Sequence, residues 1–291
     1  MTLPPYIGIL AAFGAMFAWG FGDFFIQKTV RKIGDIESLA YIGIIGSIGL
    51  IPFIFKEIPL LLTKSNLILL AVLGLVVFVV SVINFEALKQ GKLSVVEAIS
   101  EIELPVTAIL AFFFLKERLA PSQLLLVFVI FFGLILVATK SFSSKNPMKH
   151  IEKGVFLAFL TAVGTGLVNF LTATSSKQIS PLMAVWVPWV IFTVLCIFFI
   201  ERKEGFAAFI ANGKKHRKLV LSMGLVDTMA WVLYAFSALH TKLTITTAIT
   251  ESYAAVALFL GVWINKEKIH LHQYVGAGMA LTASVVLAFL L

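Results

Sequence analysis

Along this chain, apolar runs of about 20 residues alternate with short polar breaks. Ten such runs follow one another, at 3–28, 36–55, 66–88, 93–115, 121–139, 154–174, 180–200, 219–239, 243–264 and 270–291. Each is long enough to cross a hydrocarbon layer of about 30 Å as a helix. The pattern predicts an all-α membrane protein of ten transmembrane helices. The first run begins almost at the initiator Met, with no basic leader and no small-residue cleavage site, and is expected to be a retained span. The longest polar connections, about 140–153 and 201–218, are too short for a separate folded domain, so function is expected within the bilayer.

Composition agrees with the pattern. The chain has 291 residues, is 60% hydrophobic and only 13% charged, and has a mean hydropathy of +1.01. Its net charge of +8 does not indicate a nucleic-acid partner. All 23 Lys and Arg lie in loops or at span ends, where basic residues orient membrane proteins, whereas seven of the 15 Asp and Glu lie inside spans. The lone cysteine, Cys196, lies within a span, so no intramolecular disulfide is possible.

The chain also repeats itself. At an offset of 150 residues, Lys92-Leu93 falls on Lys242-Leu243, Ala98-Ile99 on Ala248-Ile249 and Glu101 on Glu251. Val106 falls on Val256, Leu110 on Leu260, Lys116-Glu117 on Lys266-Glu267 and Gln123 on Gln273. At an offset of 146, Gly20, Asp23 and Phe24 meet Gly166, Asn169 and Phe170. Shared apolar composition does not account for a mid-span Glu on Glu. Residues 1–140 and 150–291 are therefore expected to be two copies of a five-helix unit. Five is odd, so the second copy enters from the opposite side of the membrane. Inverted repeats of this kind place a site near the midplane, at the repeat interface.

On these residues the chain resembles the EamA-type, ten-helix branch of the drug/metabolite transporter superfamily. The matching residues are Trp19-Gly20 with Lys28 closing span 1, Pro105 in span 4, and Glu117-Arg118-Leu119 leading to Gln123, echoed by Glu267 and Gln273. The second copy departs, with Thr165-Gly166 for Trp-Gly and Ala255 for the proline. The resemblance implies two inverted five-helix repeats, and a cavity lined by spans 1, 3, 4, 6, 8 and 9. It also implies that both termini are cytoplasmic. Charge implies the reverse, because 17 of the 23 Lys and Arg fall in loops 1–2, 3–4, 5–6, 7–8 and 9–10.

A carboxylate at mid-bilayer costs about 2.5–3.5 kcal/mol and is expected to face the bundle interior or a wet cavity. On a continuous helix Ser94, Glu97, Glu101 and Pro105 share one face. Thr244, Thr247 and Glu251 form the matching stripe of span 9. Glu101 and Glu251, as repeat mates, either face one cavity or lock helices as neutral acids. Glu103 is expected on the far side of span 4, as a second cavity ligand or the buried partner of a polar neighbour. Glu86 is expected to pair with Lys89 at the interface. Asp227, Trp231 and Tyr234 lie at i, i+4 and i+7, a wall suited to an amine through charge and cation–π attraction. Asn169 lies on a hydroxyl and amide stripe with Thr161, Thr165 and Thr172. Asp23 is its mate, either cavity-facing beside Trp19 or paired locally with Lys28 or Arg31.

Gly20-Phe21-Gly22-Asp23 fits the GxGD pattern of presenilin-like proteases by coincidence. The second aspartate of that signature should follow Tyr, and Asp227 follows Val226; no Pro-Ala-Leu motif exists. Lys116-Glu117 and Lys266-Glu267 read as interfacial anchors or closure points. No phosphate loop, dinucleotide motif or Cys/His cluster is present, so no cofactor and no metal are expected. The expectation is a secondary transporter, not an enzyme. It would sit in the lipid bilayer of the cell membrane as a multi-pass exporter of a small polar, amino-acid-like or amine metabolite. Seven interior acids and no interior base suit a cationic group, or a coupling proton or sodium ion. A homodimer is compatible with the sequence and not required by it. The alternatives are a membrane-embedded enzyme using paired carboxylates and a non-transporting structural or sensory bundle.

Overall fold

The computed structural model describes residues 5–90, 99–139, 153–203, 205–264 and 269–290. Every regular element among them is helical. They are α1 (Pro5–Ile33), α2 (Asp35–Ile54), a short 3₁₀ turn (Ile58–Leu62), α3 (Lys64–Gln90), α4 (Glu103–Phe114), α5 (Pro121–Ala138) and α6 (Lys153–Gln178). There follow α7 (Pro181–Lys203), α8 (Phe206–Lys215), α9 (Arg217–His240), α10 (Leu243–Glu251), α11 (Tyr253–Ile264) and α12 (Leu271–Phe289). Among the described residues nine helical runs are long and apolar enough to cross a membrane, with α10 and α11 jointly supplying one, and α4 is a shorter apolar helix. The protein is an all-helical, multi-pass membrane protein.

Local chemistry sets the breaks. Gly34 and Gly205 have φ of +83° and +81°, a left-handed conformation that costs glycine little, and they separate α1 from α2 and α7 from α8. Pro121 and Pro181 open α5 and α7, where a missing N–H leaves no donor unpaired. The short helix α8 lies against α2: Tyr41 stacks on Phe209 at 4.2 Å, and Asn212 Nδ2 donates to both carboxylate oxygens of buried Glu37 at 3.1 Å. Outside, a belt of exposed Phe side chains, including Phe112, Phe113, Phe128, Phe132 and Phe198, suits a hydrocarbon surround.

Repeat-related residues do the same work at opposite ends of the bundle. Gln123 Oε1 accepts from Ala120 N at 3.1 Å and its Nε2 donates to Leu290 O at 3.2 Å; Gln273 Oε1 accepts from His270 N at 3.0 Å and its Nε2 donates to Val137 O at 2.9 Å. Each glutamine thus opens its own helix and reaches the far end of the other, so α5 and α12 run antiparallel. A methyl group on Gly20 would meet Val256 at 2.7 Å, and one on Gly166 would meet Val106, the repeat mate of Val256, at 2.5 Å. α1 packs along α9 as α6 packs along α3, whereas α2 with α7 and α5 with α12 pair across the axis. The architecture is two inverted five-helix repeats.

At the α5–α12 crossing, backbones touch. A methyl group on Gly276 would stand 2.4 Å from Gly133 O and 3.0 Å from Val137 N, which are backbone atoms with little room to yield. Gly276→Val is expected to destabilise the protein by about 2 kcal/mol or more through overpacking. Gly278→Val, on the same helix with no atom within 4 Å, should cost far less. Thermal unfolding of the two variants in one detergent makes the comparison, and equal losses would refute the close crossing.

Span 4 departs from expectation. Its helix does not run straight through Glu101: residues 101–102 form a turn, and α4 starts afresh at Glu103. Span 9 breaks at the same register, at Ser252. Ile102 N bonds Ile99 O at 3.0 Å, and its mate Ser252 N bonds Ile249 O at 3.2 Å. In span 4 the cause is Pro105, which has no N–H for the carbonyl of Glu101 and whose ring crowds that residue. In span 9, where Ala255 replaces the proline, hydroxyls take over. Ser252 Oγ donates to Ala248 O at 3.2 Å and shares a 2.8 Å bond with Ser284 Oγ, while Thr250 Oγ1 donates to Thr247 O at 3.1 Å.

Candidate functional site

The two breaks meet near the middle of the bundle. Because α4 restarts at Glu103, the single-face stripe through Glu101 and Pro105 does not hold, and Glu103 turns inward. Its Oε1 accepts from Asn169 Nδ2 on α6 at 2.7 Å, and the same amide lies 3.4 Å from Thr107 Oγ1. Glu251, at the end of α10, is close enough to Glu103 for the two carboxyls to interact. One carboxyl comes from each repeat. Glu103 lies deep in the bundle and still keeps part of its surface free, as do Glu101 and Glu251.

Aromatic rings wall this polar centre. Trp19 on α1 lies 5.1 Å from Trp231, 5.5 Å from Tyr234 and 6.2 Å from Tyr253, measured between ring centroids. Trp231 and Tyr234 are 5.7 Å apart, edge to face, the arrangement that aromatic quadrupoles favour. Tyr234 is fully buried, its hydroxyl 2.9 Å from Thr247 Oγ1. Glu103, Glu251 and Glu117 are all within electrostatic reach of that phenol.

Of the residues singled out from sequence, the structure brings Trp19, Asn169, Trp231, Tyr234 and Glu251 together. Glu101 sits at the turn beside them. Asp227 is on the same helix as the aromatic pair and is 7% exposed. Glu97 lies outside the described residues, as does the side chain of Asp23. Glu103, read from sequence as a second cavity ligand or the partner of a polar neighbour, and Thr247, read on the Glu251 stripe, join the central group, and Thr107 and Tyr253 are additions without a signal in the sequence.

Glu117 ties the end of α4 to the start of α10. Lys116 adopts a left-handed conformation, φ +57°, at the end of α4, and Glu117 N bonds back to Ala111 O at 3.1 Å. This turn aims the Glu117 carboxylate at the start of α10. There it accepts from Leu243 N at 2.7 Å, Thr244 N at 3.2 Å and Thr244 Oγ1 at 3.3 Å, and Lys177 of α6 lies 3.4 Å away. Lys242 Nζ donates to Arg118 O at 2.8 Å on the same face. Three segments from both repeats are tied at this point.

Inverted repeats, two helices broken at the same register and an acidic, aromatic-walled centre between them define a membrane transporter. The profile of the EamA-like transporter family matches residues 6–139 and again 152–289, and the chain belongs to that family. It is 30% identical over 131 residues to the uncharacterized protein MJ1333.1 of Methanocaldococcus jannaschii. Those residues are 94% of that protein and 45% of this chain, so the relative is about one repeat long. Among solved structures that share the fold is a crystal structure with a TM-score of 0.78 at 12% identity, covering 97% of this chain and 96% of its own.

Proposed function

We propose that the protein is a secondary carrier of the cell membrane that exports a small polar metabolite bearing an amine, by alternating access between its inverted halves. The observation that carries this reading is the Glu103–Glu251 pair, one carboxyl from each repeat, held by Asn169 and walled by Trp19, Trp231, Tyr234 and Tyr253. A hydrogen-bonded pair sharing one proton carries a single negative charge. An ammonium group matches that charge, and the indole and phenol faces attract it further. Binding of the ammonium would displace the shared proton to the solvent, which would make the proton the coupling ion. In this reading Glu101, Glu97 and Asp23 complete the cavity lining.

The twin breaks support movement of this kind. A discontinuous helix leaves carbonyls free of intrahelical partners and lets its two parts tilt separately. The test is a thermal-stabilisation screen of the purified protein against amino acids, polyamines, quaternary amines and sugars, followed by counterflow of the labelled hit in proteoliposomes. An amine is expected to stabilise the protein and to exchange. If sugars or carboxylates without an amine stabilise it and no amine does, the substrate class is wrong.

A further inference from the structure

The connection from α7 to α9 carries the most basic stretch of the chain. Residues 214–218 read Lys-Lys-His-Arg-Lys, and the sequence has no acid between Glu204 and Asp227. Lys214, Lys215, Arg217 and Lys218 are all exposed. With His216 and Leu219 they line an open hollow of about 350 Å³ at the turn between α8 and α9. Like charges this close repel one another, and an anion held between them relieves that repulsion.

The helix α8 sets the depth of this hollow in the membrane. Asn212 of α8 holds the carboxylate of Glu37, and Tyr41 Oη donates to Phe209 O at 2.6 Å. Glu37 and Tyr41 lie about 3 and 9 Å along α2 from its start at Asp35. α8 therefore lies beside the first turns of a spanning helix, at the level where headgroups give way to acyl chains. Its two sides differ. Phe209 faces the protein and is buried, whereas Phe206 and Ile210, one turn apart, are 44% and 40% exposed. The helix then ends on Lys214 and Lys215. An outward apolar edge with a cationic end is the form of a helix that rests in a lipid interface.

The neighbouring charges leave the field positive. α1 ends at the same face of the bundle with exposed Arg31 and Lys32, and α7 ends there with exposed Arg202. On α2, α7 and α9 the described acids at this face are Asp35, Glu37 and Glu201. Glu37 is buried against Asn212. Glu201 accepts from Phe206 N at 3.2 Å, at the start of α8 and about 12 Å along the helix from Lys214.

We propose that the turn between α8 and α9 binds the phosphate of one anionic phospholipid of the surrounding bilayer, with Phe206 and Ile210 against its acyl chains. Cations beside apolar side chains at the membrane boundary need a partner that brings both chemistries, and a phospholipid does so where a free phosphate does not. The bound lipid would hold α8 to one leaflet and, through Glu37 and Tyr41, brace α2. None of this depends on the substrate class proposed above.

The experiment offers the purified full chain, in an uncharged detergent, phosphatidylglycerol or phosphatidylcholine of the same acyl length. Bound lipid is counted by native mass spectrometry, and Tm is measured alongside. Phosphatidylglycerol is expected to bind about 100-fold more tightly than phosphatidylcholine, at about one tight site per chain, and to raise Tm. Each Lys or Arg near an anionic lipid is worth about fivefold in affinity. Lys214→Gln/Lys218→Gln should therefore weaken phosphatidylglycerol binding about 25-fold. Lys214→Gln/Lys215→Gln/Arg217→Gln/Lys218→Gln should erase the preference over phosphatidylcholine while keeping the parent Tm in phosphatidylcholine. Lys56→Gln/Lys64→Gln, two exposed cations at the opposite face, should leave the preference intact. Millimolar inorganic phosphate should leave Tm unchanged. Equal binding of the two lipids by the parent, a preference that survives in the quadruple variant or is lost in Lys56→Gln/Lys64→Gln, or a rise in Tm with phosphate as large as with the lipid overturns the proposal.

Discussion

Glu103→Gln is expected to remove substrate binding almost completely while leaving a folded protein. The amide keeps the size of the side chain and its bond to Asn169, but it cannot carry the single negative charge of the Glu103–Glu251 pair. Loss of one member of a buried, hydrogen-bonded charge contact costs about 2–4 kcal/mol, a factor of about 30 to 1,000 in affinity. Glu251→Gln should behave alike, because the two carboxyls act as one unit and their losses are not additive. Glu86→Gln, on α3, should be nearly silent. Equilibrium binding of the amine identified by the stabilisation screen gives the numbers, with Tm as the control for folding. If both central variants bind as tightly as the parent, the paired carboxyls only lock helices and the substrate sits elsewhere.

The scaffold was legible because its signals repeat. Ten apolar runs and a Gln opening both last spans are local patterns, and Gln123 and Gln273 form a structural pair, whereas the acid of span 4 that meets Glu251 is Glu103 and not its repeat mate Glu101. The facing of Glu103 was not legible. A helical wheel assumes one unbroken phase through span 4, and the turn at 101–102 resets that phase. Pro105 was a visible warning there. In span 9 the same break rests on Ser252, and one of its partners is Ser284 on α12, a tertiary contact that no local window contains. The Lys-Glu pair at 116–117 was ambiguous between anchor and closure. The left-handed turn at Lys116, which aims Glu117 across the repeat interface, could not be foreseen from a non-glycine residue.

Glu117→Ala is expected to open the end of the bundle where Glu117 ties α4 to α10, with a loss of about 2–4 kcal/mol in stability. The side chain caps a helix from another segment, accepting two backbone N–H groups and one hydroxyl at the start of α10. Loss of a helix cap costs about 1 kcal/mol, and leaving buried donors without an acceptor adds about 1–3 kcal/mol. Lys177→Met is the contrast. Lys177 is 32% exposed and its contact is a single 3.4 Å ion pair, so its removal should cost less than about 1 kcal/mol. Opening can be read directly, because the native Cys196 is buried and provides a quiet background. Leu243 is fully buried, with its N–H on Glu117. Leu243→Cys should resist a membrane-impermeant maleimide in the parent and react in the Glu117→Ala background. Lys177→Met should leave it protected. If Glu117→Ala unfolds at the parent temperature and Leu243→Cys stays protected, the carboxylate is an interfacial anchor, and closure of this face rests on helix packing instead.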